Sequence, residues 1–147
     1  MDHPNQLPFQ IYHFPVTSSD SSIARIQEFI GEHFKEDLTI DDIAKRGGMS
    51  VRNFSRRFKS ATGESFSNYI QKLRIESAKR LLESAEFSAS EVMYRVGYSD
   101  ERSFRRLFKR HTGLSPKHYR TKFKIRFQSM ALIRKPQNQE IDLLRDI

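Results

Sequence analysis

Residues 65–84 have the sequence SFSNYIQKLRIESAKRLLES, and the rest of the chain is organised around this stretch. No Gly or Pro interrupts it, and its apolar residues recur at the spacing of a helical face. These apolar residues are Phe66, Tyr69, Ile70, Leu73, Ala78 and Leu81. The stretch therefore predicts a single helix, which would be roughly 30 Å long at the helical rise.

The same short pattern lies on both sides of this helix. Phe54, Arg56, Phe58-Lys59 and Thr62-Gly63-x-Ser65 match Phe104, Arg106, Phe108-Lys109 and Thr112-Gly113-x-Ser115 at an offset of 50 residues. Further upstream, Ile43, Gly48 and Ser50 match Val92, Gly97 and Ser99 at an offset of 49 residues. A repeat of this period indicates a duplicated supersecondary unit, with a one-residue slip at the start of the third helix of each unit.

Each copy predicts a short helix, a turn that contains glycine and a second helix, which is the layout of a helix-turn-helix. Thr39 with Asp42, and Ser88 with Glu91, have the spacing of capping boxes and predict where the two short helices begin. The other predicted starts are Ser22 for a preceding helix, Ser50 and Ser99 for the two second helices, and Ser115-Pro116 for a last helix.

These elements predict an all-α fold in which two helix-turn-helix (homeodomain-like) subdomains are joined by a long linker helix. The predicted segments are 1–21 (extended lead-in or linker), 22–64 (first subdomain), 65–84 (linker helix), 85–127 (second subdomain) and 128–147 (C-terminal tail). The lead-in contains three prolines and no sustained period, and a short strand stays open for it. For the tail, the sequence leaves open a short amphipathic helix or a mobile segment.

The composition favours a polyanionic partner, because the 147-residue chain has a formal net charge of +8 and a pI near 9.9. Composition alone leaves open a merely basic protein. The absence of cysteine excludes disulfide bonds and cysteine-ligated zinc. The sequence also lacks an apolar run of about 18 residues and a signal peptide, so we expect no membrane association and a reducing compartment such as the bacterial cytoplasm.

The positive charge is concentrated on the second helix of each unit and on the last helix. Residues 50–59 contain four basic residues and no acid, and residues 101–126 contain ten basic residues and one acid. The phenylalanines of both second helices, and Val51 in the first, fall opposite the basic face, so we expect them to face the core. Two such helices, held apart by about one turn of B-DNA, favour double-stranded DNA as the partner.

Several short motifs carry a family resemblance. They are Ile43-Ala44, Met49-Ser50, Phe58-Lys59-x-x-Thr62-Gly63, Arg74-Ile75-x-x-Ala78, Val96-Gly97-Tyr98-Ser99 and Ser115-Pro116-x-x-Tyr119-Arg120. Across about residues 23–123 the chain resembles the DNA-binding domain of AraC/XylS-type bacterial transcriptional regulators. The resemblance implies a sequence-specific regulator, associated with the nucleoid, that reads two successive major grooves and has RNA polymerase as a further partner.

The lead-in sequence PFQIYHFP adds a finer resemblance. It is similar to family members that carry an N-terminal domain of the DJ-1/PfpI, class I glutamine amidotransferase-like type. We therefore expect a sensor domain of that type, or a dimer partner, outside this chain. A standalone activator with two subdomains is the alternative.

The resemblance also implies which residues contact DNA. The base-reading positions fall on Arg52, Ser55 and Arg56 in the first unit, and on Glu101, Arg102, Ser103, Arg105 and Arg106 in the second. Arginine can donate to guanine O6 and N7, whereas Glu101 is explained slightly better as an acid that favours the helix dipole. The expected phosphate contacts are Ser50, Lys59, Ser99, Lys109, Lys117, Arg120 and Lys122. Met93 replaces the family's small residue, present as Ala44 in the first unit, and predicts a tilt of the second recognition helix.

Other classes of protein explain less of the sequence. The five histidines (His3, His13, His33, His111 and His118) form neither an HExxH motif nor a Ser/His/Asp spacing, and no glycine-rich phosphate loop is present. We therefore expect no enzyme, no metal site and no cofactor. A protein-interaction or RNA-binding helical module would explain the charge, but not the duplicated helix-turn-helix.

Overall fold

The computed structural model describes residues 20–143, with side chains at 20–126 and 129–132. Its elements are α1 (Ser21–His33), α2 (Ile40–Arg46), α3 (Val51–Thr62), α4 (Phe66–Glu83), α5 (Ala89–Arg95), α6 (Glu101–Thr112) and α7 (Pro116–Leu143). Every regular element within the described residues is helical, which confirms the predicted all-α class there. The strand left open for the lead-in would fall in residues 1–19, outside the described part.

Helix α1 begins with Asp20 as its N-cap. The Asp20 carboxylate accepts hydrogen bonds from the backbone N–H of Ser22 at 3.2 Å and of Ile23 at 3.4 Å. Arg57 donates two further hydrogen bonds to it, at 2.7 and 2.9 Å, and this partner above all lowers the pKa of Asp20. The N-cap is therefore Asp20, and the prediction of Ser22 is wrong. Arg57 orients the Asp20 carboxylate from 37 residues away in the sequence, so no local pattern indicates this cap.

Most other predicted helix starts are confirmed by hydrogen bonds. In each case a hydroxyl accepts from the backbone N–H three residues further on, at distances of 3.1 to 3.2 Å. These caps are Thr39, Ser50, Ser65, Ser88 and Ser115. The Thr39 hydroxyl also donates to the Asp42 carboxylate at 2.7 Å. Local sequence signals therefore define where five of the helices begin.

The linker helix α4 is shared between two hydrophobic cores. Its residues up to Leu73 pack in the first core, and its residues from Ile75 onward pack in the second. The first core is completed by Ile23, Ile26, Ile30, Phe34, Ile43, Ala44, Phe54 and Phe58, and the second by Val92, Met93, Val96, Phe104 and Phe108. Leu81, predicted on the buried face, is only partly buried, whereas Leu82 is 1% exposed.

The phenylalanines of the two units form equivalent aromatic clusters. Phe58 meets the Tyr69 ring edge-on at 5.1 Å between centroids, and Phe108 meets Tyr119 in the same way at 5.5 Å. The prediction that these phenylalanines belong to the core is therefore confirmed. The same prediction is wrong for Val51, which lies in the first turn of α3 and is 37% exposed.

The turns between α2 and α3 and between α5 and α6 repeat the same backbone hydrogen bonds. Gly48 donates to Lys45 at 3.0 Å and Met49 to Ala44 at 2.9 Å, while Gly97 donates to Tyr94 at 3.1 Å and Tyr98 to Met93 at 3.0 Å. Gly48 and Gly97 both have positive φ, of 66° and 99°. The larger Met93 side chain therefore leaves this bonding pattern unchanged.

The last helix is tied to the linker helix by polar contacts. Tyr119 donates to the Glu83 carboxylate at 2.6 Å, and burial together with Glu83 raises the pKa of Tyr119. Arg120 donates to the carbonyl oxygens of Leu82 and Phe87. Beyond this anchor α7 continues to Leu143, so residues 128–143 of the predicted tail are helical.

Candidate nucleic-acid interface

Helix α3 presents a row of exposed cations. Arg52, Arg56 and Lys59 are exposed, while Phe54 and Phe58 are buried on the opposite face. Because the helix contains no acid, its outer face is uniformly positive. The predicted residues Ser50 and Ser55 lie beside these cations, the first exposed and the second half-buried.

Two arginines of α3 are held in different directions. Arg56 donates from Nη2 to the Asn53 side-chain oxygen at 2.9 Å, which orients its guanidinium along the outer face of the helix. Arg57 instead pairs with Asp20 at 2.7 Å and contacts the Met49 sulfur at 3.4 Å. Arg57 therefore stabilises the first unit, and the remaining cations of α3 form its outward surface.

Helix α6 presents an equivalent but chemically different face. Arg102, Arg105, Arg106 and Lys109 are exposed and, with Asp100 and Glu101, line an open depression on the surface. Arg105 pairs with Glu101 one helical turn away. Exposed pairs of this kind contribute only about 0.3–0.5 kcal/mol, so a stronger partner can replace this contact at little cost.

The N-cap of α6 is Asp100, so the prediction of Ser99 is wrong. Asp100 accepts from the Arg102 N–H at 3.2 Å and from the Ser103 hydroxyl at 2.6 Å. The Ser103 hydrogen bond, followed by the backbone N–H groups of Arg102 and Ser103, lowers the pKa of Asp100. One extra residue in this turn places Ser99 before the cap, which locates the one-residue slip of the repeat.

The predicted phosphate-binding residues fall into two groups. Lys59 and Lys109 occupy equivalent positions in the last turns of α3 and α6, and Lys117 and Lys122 are exposed on α7. Ser50 and Ser99 are exposed just before α3 and α6. Arg120 differs from all of these, because its guanidinium is bonded to the Leu82 and Phe87 carbonyl oxygens.

A groove of about 550 Å³ lies between the two recognition helices, α3 and α6. Ser55 and Lys59 line it from α3, Leu107 lines it from α6, and Arg74 and Tyr98 lie between them. Of the exposed cations of the two helices, Lys59 lines this groove, whereas the α6 cations line the separate depression described above.

Sequence reasoning missed Asn53 and Asp100, which position the side chains around them. Asp100 stands three residues before Ser103, a spacing that could have indicated a cap. Among the side chains described at residues 20–126 and 129–132, no group of three or more His, Cys, Asp or Glu is arranged to hold a metal ion. No helix in the same part of the chain is long and apolar enough to cross a membrane.

Comparison with known proteins places this chain in a family. The family model described as "Helix-turn-helix domain" matches residues 43–122. The HTH-type transcriptional activator RhaS of Salmonella schwarzengrund is 31% identical over 104 residues, which are 71% of this chain and 37% of RhaS. The chain thus spans little more than a third of the length of this relative.

Solved structures of other proteins are similar to this chain in both fold and sequence. The DNA-binding domain of AdpA, in complex with a target DNA, has a TM-score of 0.69 and 34% identity, over 71% of this chain and 95% of that one. The C-terminal domain of AraT, a response regulator from Geobacillus stearothermophilus, has a TM-score of 0.67 and 35% identity, over 69% and 85%. The chain therefore belongs to the AraC/XylS family of sequence-specific DNA-binding transcriptional regulators and carries the two helix-turn-helix units of that family's DNA-binding domain.

Proposed function

We propose that this chain binds double-stranded DNA with α3 and α6 in two successive major grooves and so regulates transcription from a promoter. The observation that carries the proposal is the repeated turn geometry, which gives each unit a second helix with an exposed arginine face. The likeness to AdpA, whose domain is described in complex with a target DNA, supports it. The family itself is one of regulators rather than enzymes, which agrees with the expectation of no catalytic function.

The base sequence of the DNA would be read mainly by four arginines. Arg52 and Arg56 on α3, and Arg102 and Arg106 on α6, are exposed and can donate bidentately to guanine. Ser55 would contribute a hydroxyl contact beside Arg56. Glu101, Ser103 and Arg105 belong to the same proposed set, but each already has a partner within α6 or its cap, so they would read bases only after exchanging these contacts.

Phosphate contacts would set affinity without carrying sequence information. We assign them to Lys59, Lys109, Lys117 and Lys122, with Ser50 and Ser99 at the starts of the recognition helices. We leave Arg120 out of this set, because its two hydrogen bonds to backbone carbonyl oxygens engage the guanidinium within the protein.

The wider assembly is also part of the proposal. RNA polymerase would be the partner at the promoter, in the cytoplasm and nucleoid of a bacterium. A DJ-1/PfpI-type domain would precede residue 1 in the whole protein, supported by the lead-in motif PFQIYHFP. Reading the gene upstream of Met1 would test this last point directly.

The proposal is tested by selecting binding sites from a pool of random duplex DNA with the purified chain. Two enriched boxes about one helical turn apart would establish that both helices read bases. One enriched box would mean that the other helix only positions the protein on phosphates. Salt-sensitive binding without enrichment, or equal competition by double-stranded RNA, would overturn sequence-specific reading by this chain.

A further inference from the structure

Arg74 lies at the point of the linker helix where one core ends and the other begins. Its neighbours Leu73 and Ile75 are 4% and 1% exposed and belong to the first and the second core, respectively. The Arg74 side chain is half-buried and borders the groove between the two recognition helices. It is therefore placed to contact both units at once.

The Arg74 guanidinium binds three backbone carbonyl oxygens. Nε donates to Phe34 at 2.7 Å and Nη2 donates to Glu36 at 2.8 Å, both in the segment after α1 of the first unit. Nη1 donates to Gly97 at 3.2 Å, in the turn of the second unit. The guanidinium also lies 5.1 Å from the centre of the Tyr98 ring. A planar fork of donors suits such an arrangement, whereas a lysine ammonium cannot reproduce it.

Gly97 brings the two units into direct contact. A Cβ added at Gly97 would lie 2.6 Å from the Lys35 carbonyl oxygen and 3.1 Å from the Arg74 guanidinium carbon. Gly48 occupies the equivalent position in the turn of the first unit, and a Cβ there would meet nothing within 4 Å. The glycine of the second turn is thus packed against the first unit, while its counterpart is open.

We propose that Arg74 and Gly97 form a junction that fixes the separation and angle of the two recognition helices, and so sets the spacing between the two DNA boxes that the chain prefers. This inference rests on the proposed function for its DNA consequence. The claim that the junction fixes the positions of α3 and α6 depends only on contacts within the chain. Arg74 acts here as a positioning residue, because it would influence base reading through α3 and α6 without contacting a base.

The first experiment measures the junction without DNA. The chain has no cysteine, so spin labels can be attached through Ser60→Cys and Arg110→Cys, at exposed and equivalent positions of α3 and α6. Pulsed electron resonance should give one narrow distance distribution in the otherwise wild-type chain. Arg74→Met, which keeps length but removes the donors, should broaden or shift it. Arg74→Lys should restore it only in part. An unchanged distribution in Arg74→Met would overturn the proposal.

The second experiment measures spacing preference on DNA. Duplexes would carry the selected boxes at their selected spacing, with one to three base pairs inserted or removed, or one box alone. The wild type should lose about tenfold in affinity when the spacing is wrong, comparable to one mismatched contact. Arg74→Met should flatten this preference while its single-box affinity stays close to that of the wild type at a temperature where both chains are folded. An unchanged spacing profile would contradict the role of Arg74.

If the proposed function is wrong, the two experiments should give a different pattern of results. In that case the wild type itself would show no preference for two boxes, while the spin-label distances would still respond to Arg74→Met. The matched pair Gly48→Ala and Gly97→Ala provides the control, since both place a side chain at positive φ. Only Gly97→Ala should alter the distance distribution and the spacing profile. Equal effects of the two substitutions would contradict a contact specific to the second turn.

Discussion

The two helix-turn-helix units share a backbone but differ in the chemistry around it. Each recognition helix is twelve residues long, ends at a left-handed glycine and has a threonine one residue before that glycine. In the first unit Ser50 caps a helix with no acid. In the second unit Asp100 caps a helix that begins with Glu101, and both acids bind residues of that helix.

This difference shows which properties the duplicated fold constrains. The buried phenylalanines and the turn hydrogen bonds are repeated, because a core and a buried backbone admit few alternatives. The exposed face is free to change, so the first recognition helix offers an acid-free row of cations and the second offers cations that are partly paired. We therefore expect the first box to be bound with less rearrangement of side chains than the second.

The largest expected effect comes from truncating the equivalent buried phenylalanine in each of the two cores. Phe58→Ala and Phe108→Ala should each lower the free energy of unfolding by about 3–5 kcal/mol, because both rings are fully buried and a cavity would remain. Urea denaturation measures this, with the exposed positions Ser60→Ala and Arg110→Ala as controls. A loss below about 1 kcal/mol in either unit would contradict the equivalence of the two cores.

The next largest effects are expected from substituting the glycines of the two turns, and the loss of stability should differ between the two units. Gly48→Ala should cost about 1–2 kcal/mol, the penalty for a side chain in the left-handed region. Gly97→Ala should cost about 1–3 kcal/mol more, because its Cβ would overlap the Lys35 carbonyl oxygen as well. Thermal or urea unfolding of both variants measures the difference, and equal losses would mean that the contact at Gly97 is not restrictive.

How much of the fold could be predicted from the sequence depends on whether a feature is determined by neighbouring or by distant residues. Period, capping boxes and the Thr-Gly-x-Ser repeat are local signals, and they predicted the helices, the linker and the phenylalanines that face the core. Asp20 was missed because its orientation depends on Arg57, and Val51 was misassigned because helical spacing does not show where a core ends. The contacts of Arg74 join residues up to 40 positions apart, so no local pattern reveals them.

For the candidate site, the sequence located the elements but not the state of each side chain. Charge and spacing indicated α3 and α6, and the arginines predicted to read bases are exposed there. The sequence could not show that the Ser103 hydroxyl is bonded to Asp100, or that Arg120 is bonded to carbonyl oxygens. Such assignments depend on competition between nearby partners, which only the folded geometry decides.

A third pair of variants compares reading by the two helices. Arg56→Ala and Arg106→Ala should each relax base preference at one position of one box, by about 1–3 kcal/mol of discrimination. Lys59→Ala and Lys109→Ala, one turn further along each helix, should weaken binding equally on all sequences and reduce its salt dependence. Competition assays with single-base variants of each box distinguish the two classes. Uniform weakening by Arg56→Ala would assign that arginine to phosphate instead.

The smallest effect should come from exchanging the caps. Because the pKa of Asp100 is below its usual value of 3.8, its carboxylate stabilises the folded state above about pH 4, and this contribution disappears as the pH falls through the lowered pKa. Asp100→Ser would give α6 the cap that α3 has, removing this acid-dependent step while keeping a hydroxyl acceptor. NMR titration of the carboxyl group, and unfolding followed from pH 5 to 2, would measure both consequences.

The cap exchange also tests whether the acids of the second unit weaken its hold on DNA. Removing one negative charge from the start of α6 should tighten binding a few-fold at low salt, and the gain should shrink at high salt because exposed charges are screened. Asp100→Asn is the matched control, since it keeps an oxygen acceptor and removes the same charge. If both variants bind DNA no more tightly than the wild type, the Asp100 carboxylate lies too far from the phosphates to affect them. The difference between the two recognition helices would then concern base reading alone.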